Sequence, residues 1–130
     1  MAFLDKDWFV RQLQLCVDMA ASLILGKDFS PYEPIGSDPA DALHLQILSL
    51  LDENDVNSAE DLLFDTIDGE DPDLFHVGLD FYYRLNQMDD PQLSQLDFSR
   101  EEIREGLTDM AEEYGCSGLF DQLRLSWTEE

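Results

Sequence analysis

The chain has little that is basic. Seven Lys and Arg stand against thirty acids in 130 residues, a formal net charge of −23, where a magnitude of roughly 2–8 suits a small domain. Between Asp28 and Tyr83 there is no Lys or Arg at all, while fifteen carboxylates occur there. A field of this sign repels nucleic-acid phosphate and anionic membrane, and attracts cations and basic proteins. The expectation is therefore a basic protein partner, with no nucleic acid and no membrane. Cysteine is scarce as well: Cys16 and Cys116 are too few for a disulfide framework and lack metal-ligand spacing. Cys16 falls on the apolar face of an expected helix, where a thiol behaves as a small hydrophobe, and a reducing cytoplasm is the simpler location.

Other absences narrow the classes further. Asp5, Lys6 and Asp7 do not make the basic start of a secretory signal. The most apolar stretch, from Trp8 to Leu25, is interrupted by Arg11, Gln12, Gln14 and Asp18, so it reads as an amphipathic helix rather than a span of about 20 apolar residues. Gly-rich phosphate loops are missing. The stretch "DENDVNSAEDLL" has Asn57 where a calcium loop needs Gly and Leu63 where it needs Glu. No strand alternation is present.

What remains is helical. Hydrophobic residues make up 44% and aromatics 11%, enough for a packed core in a single domain, residues 1–130. Phe9, Leu13, Cys16, Val17, Ala20 and Ile24 follow three-and-four spacing and predict a first helix over residues 5–25, stopped by Gly26. A loop with Phe29, Tyr32 and Ile35 is expected to return to the core. A second helix carries Leu43, Ile47, Leu50 and Leu51. A third, over residues 58–68, carries Ala59, Leu62, Leu63 and Ile67. A fourth carries Leu74, Val77, Gly78, Phe81 and Leu85. "NQMDDPQLSQLD" reads as a long connector, and Ser99 with Glu102 as a capping box for a fifth helix ending at Gly115. Leu119, Phe120, Leu123 and Trp127 suggest a short sixth element. The fold class is all-α: five or six amphipathic helices in antiparallel hairpins, closed by the N-terminal helix.

The two histidines lie in matching stretches, "DPADALHLQIL" from Asp38 and "DPDLFHVGLDF" from Asp71. An Asp held extended by the following Pro is a good helix cap, and Pro is at home in the first helical turn. Asp41 and Asp73 then sit near the positive end of the helix dipole. The pairs Asp41/His44 and Asp73/His76 also have the i, i+3 spacing that helical di-metal carboxylate proteins use. Asp is a methylene shorter than the usual Glu, and His76 shares its helix side with Asp73, Asp80 and Gln87, so it is expected to face solvent. The helix-start reading is preferred, with no metal, cofactor or catalytic residue assigned.

Laid over each other at a separation of 34 residues, the second and fourth helices pair Leu43 with Val77, Ile47 with Phe81 and Leu51 with Leu85, which is the tetratricopeptide period. "LFHVGLDF" resembles the first helix of such a repeat, with Gly78 as its small residue, and Ala59 resembles the small residue of a second. The resemblance covers residues 40–115 and implies helical hairpins; the second helix departs from it, carrying His44 or Ile47 where a small residue belongs. The whole chain, from "DWFVRQLQL" through Gly26-Lys27, also resembles a small uncharacterised bacterial family, which implies a helical fold and no assigned activity.

The functional expectation is a non-enzymatic, cytoplasmic, acidic helical protein acting through protein–protein contact, with Asp61, Asp65 and Asp68 as candidate partner surface. Two alternatives stay open: a nucleic-acid mimic that occupies the site of a DNA-binding protein, and a helical carboxylate/His metal protein.

Overall fold

A computed structural model of the chain describes residues 6–36 and 38–120. All regular structure among them is helical. Helix α1 (Lys6–Ala20) runs into a π-helical turn (Ala21–Leu25) and ends at Gly26. There φ is +72°, the left-handed geometry a glycine stop supplies. Leu13, Cys16, Val17, Ala20 and Ala21 are buried, while Arg11, Asp18 and Ser22 face solvent. By length and composition alone, Trp8–Leu25 is long and apolar enough to cross a membrane; 28% of it is buried in the core.

Helix α2 (Asp38–Asp52) and α3 (Val56–Thr66) pack on each other as a hairpin across a short turn. Helix α3 begins two residues earlier than expected because Asp55 is its cap: its carboxylate accepts from Ser58 N–H at 3.2 Å. The helix also ends earlier, because Ile67 turns extended (ψ 146°) and buries its side chain. Gly69 follows at φ +78°, where a Cβ would come within 2.5 Å of the Glu113 carbonyl oxygen, so the chain crosses the end of a later helix at a point only glycine fits.

Helix α4 (Pro72–Asn86) is the centre of the molecule, packed against α1, α2 and a sixth helix, α6. It starts as expected: Asp71 is the cap, accepting from Asp73 N–H at 2.9 Å, and Pro72 lies in the first turn. The small Gly78 lets its neighbours close in, since a Cβ there would run into the Met110 sulfur. The expected connector holds a helix of its own, α5 (Asp90–Gln95), with a full capping box between Asp89 and Gln92. Helix α6 (Arg100–Glu113) is capped by Ser99, but Glu102 takes the Ser99 hydroxyl rather than its N–H, so the expected box is only half formed. Of the expected sixth short element, Phe120 is buried, while Leu123 and Trp127 lie outside the described residues. The joints of α4, α5 and α6 meet at Arg100, whose buried guanidinium donates to the Asn86 side chain and carbonyl and to the Met88 carbonyl, and pairs with Asp90.

Two expectations fail in the loop after α1. Ile35 is 57% exposed and does not return to the core; Tyr32, at 3%, does. His76 is buried rather than facing solvent, because residues 29–36 lie across that side of α4 as a strap.

Candidate functional site

Two regions concentrate polar side chains. The first is the strap, and it absorbs the sequence's paired motifs. The Asp80 carboxylate, almost fully buried, accepts from Tyr32 N–H at 3.2 Å and from Arg84 Nε at 2.7 Å. Asp41 accepts the Tyr32 hydroxyl at 2.6 Å and the N–H groups of Ile35 and Gly36. Those bonds, the Tyr32 hydroxyl first, hold the Asp41 carboxyl below the usual carboxylate range. The Tyr32 ring lies between both histidines, 4.9 Å from His44 and 5.3 Å from His76 by ring centroids. His76 Nε2 bonds the Ser30 carbonyl at 2.7 Å. His44 Nε2 lies 3.3 Å from Asp80 but off the line of a hydrogen bond; we regard this contact as electrostatic. Three of the four side chains of the two Asp-x-x-His units, Asp41, His44 and His76, therefore converge on a tyrosine. Among the described residues no three His, Cys, Asp or Glu side chains gather as metal ligands.

The second region is a groove of about 1080 Å³ between α3 and α6. From α3 it takes Glu60, Asp61, Phe64 and Asp65. From α6 it takes Glu102, Glu105, Asp109, Glu112 and Glu113, with Gly106 among them. Eight carboxylates thus line it, and no Lys, Arg or His is among its described lining. Tyr82 of α4 is fully buried behind two of the lining residues, against Gly106 and with its hydroxyl donating to Glu60 Oε2 at 2.6 Å. Burial raises the Glu60 carboxyl above its ordinary value; the Tyr82 bond opposes this, and Glu102, Asp61 and Asp109 reinforce it. Tyr82 is pushed well up by burial and by the Glu60 charge.

Of the three aspartates singled out from sequence, Asp61 and Asp65 are exposed in this groove, one helical turn apart. Asp68 is not on that face. It lies beyond the end of α3, and its carboxylate accepts from Glu70 N–H and Asp71 N–H at 2.9 Å each. These backbone bonds, Asp71 first, lower its pKa. Sequence reasoning missed the α6 wall, although Glu102, Glu105, Asp109 and Glu112 repeat at the three-and-four spacing of one helix face. It had no signal for Tyr82, which reads as ordinary core.

One family model, described as "Family of unknown function (DUF6483)", matches residues 3–115. The chain belongs to that family. No curated protein and no solved structure matches it. The family match spans α1 to α6 and so takes in both the strap and the groove of this DUF6483 chain.

Proposed function

We propose that this chain is a non-enzymatic acidic helical protein that acts through protein–protein contact, with the groove between α3 and α6 receiving a basic segment of its partner. The observation that carries the reading is the groove itself, where eight carboxylates face one concavity with Phe64 beside them. Charge complementarity would speed encounter and set the partner's orientation more than it would add affinity. The finer reading of residues 40–115 as tetratricopeptide-like hairpins belongs to the same proposal. Its support is that Leu43, Ile47, Val77, Phe81 and Leu85 are all core residues, and that Gly78 is where α3 and α6 approach α4 through Leu63 and Met110. The cytoplasmic setting and bacterial origin expected from the sequence are part of it too, as is the absence of nucleic-acid and membrane partners.

The test is binding of a Lys/Arg-rich helical peptide by calorimetry at low and high salt. The D61K/D65K variant should lose binding at low salt, whereas the same charge change at exposed Asp18 and Glu33 should cost much less. Equal weakening by the two double variants would reduce the effect to net charge and remove the groove from the proposal. A second reading, mimicry of nucleic acid, draws on the row of acids along α6. It requires that a DNA-binding protein be captured, and that duplex DNA compete for it.

A further inference from the structure

Glu60 stands where two packing units meet. Helix α3 packs chiefly on α2, whereas α6 packs on α4 and α1; the groove is the seam between them. Across it the Tyr82 hydroxyl reaches from α4 to Glu60 of α3. It can do so because Gly106 has no side chain: a Cβ there would overlap the Tyr82 hydroxyl. The groups acting on Glu60 are the Tyr82 hydroxyl from α4, Asp61 from α3 itself, and Glu102 and Asp109 from α6. Three of the four are carboxylates. Ionised, Glu60 is half-buried among like charges; protonated, it keeps a hydrogen-bonding group for Tyr82 and loses the repulsion.

We propose that this seam is proton-linked: α3 seats against α4 and α6 with uptake of a proton at Glu60, and loosens as Glu60 ionises. The inference does not depend on any partner. Its sign follows from linkage. The Glu60 carboxyl is raised in the folded chain, so its share of the seam's stability is complete below the ordinary glutamate value and is lost as pH rises through the raised one.

Hydrogen exchange of the full chain, corrected for intrinsic rates, tests this at pH 7.5 and at about pH 4, below the ordinary glutamate value. In the wild type, protection of α3 amides should rise in acid by about threefold or more, the size of two or three like-charge contacts relieved, while α1 should move less. E60Q, which carries a neutral group of the same shape, should hold α3 at its acid level at both pH values. D65N, which neutralises an exposed groove acid, should keep the wild-type response. A response in α3 no larger than in α1 would overturn the proposal. So would a response that survives in E60Q, which would place the linkage at another group. Should E60Q fail to fold, a carboxyl 13C titration of the wild type decides: Glu60 and the Tyr82 ring should report one shared midpoint, and separate midpoints overturn the linkage.

Discussion

Removing the Asp80 carboxylate should release the strap. In D80A the Tyr32 N–H loses its acceptor in a site where Tyr32 itself is only 3% exposed. A buried donor left unsatisfied costs about 1–3 kcal/mol. The bond to Arg84 is lost as well, but the Arg84 side chain is 40% exposed and can turn to water. Screening therefore discounts that part to about 0.5 kcal/mol. Truncating a fully buried side chain next to Tyr32 and His44 adds about 1 kcal/mol for the space it leaves. The sum is about 3 kcal/mol, or about 10–15 °C in Tm for a chain of this size. D80N should cost only about 1 kcal/mol, because its amide oxygen still accepts from Tyr32 and only the charge toward Arg84 is gone. Urea unfolding followed by circular dichroism gives the two values, and hydrogen exchange over residues 29–36 shows whether the strap is what opened. Equal costs for the two variants would mean that the charge, not the acceptor for Tyr32, matters. A loss below about 1 kcal/mol in D80A, with strap protection unchanged, would refute the latch altogether.

Two further outcomes follow from packing and burial. G78A should destabilise by about 1–3 kcal/mol, since its methyl must displace the Met110 sulfur; M110A in the same chain should restore part of the loss, and a purely additive double variant would contradict the contact. Native thiol labelling should count one fast cysteine per chain, Cys116. Cys16 is fully buried, and burial pushes its thiol up to about 12 against a smaller opposing effect from Arg104, so its labelling should wait for unfolding; a fast second thiol would contradict its place in the core.

The helices were legible where apolar spacing and end signals agree. Asp71-Pro72 starts α4 as its sequence says, and Gly26 stops the first helical run. The end of α3 was not legible, because nothing local distinguishes Ile67 as the last member of an apolar stripe from Ile67 as an extended residue pulled into the core. Helix α5 was legible in principle and was passed over. Asp90-Pro91 repeats the helix-start dipeptide a third time, and Asp89 with Gln92 spells its capping box. Six residues are simply too short for periodicity to reveal.

The histidines show a different limit. His76 shares its side of α4 with Asp73 and Asp80, and by amphipathic reasoning that side belongs to water. The rule assumes that a loop lies over nothing. Here Tyr32, with the backbone of residues 30–36, supplies the partners that water would have supplied: a carbonyl for His76, N–H groups for Asp80 and Asp41, and a ring between the two imidazoles. Buried polar groups with partners are affordable and without them are not, so a polar helix face opposite a Pro- and aromatic-bearing loop has two readings, solvent or strap. The aromatic residues in the loop separate them. A loop that only spans water has no use for Phe29 and Tyr32, and both pack on His76. The same logic distinguishes the acidic groove from the strap. Among the described residues the groove has eight acids and no Lys, Arg or His in its lining, and on that difference rest the proposed basic partner and the proposed proton.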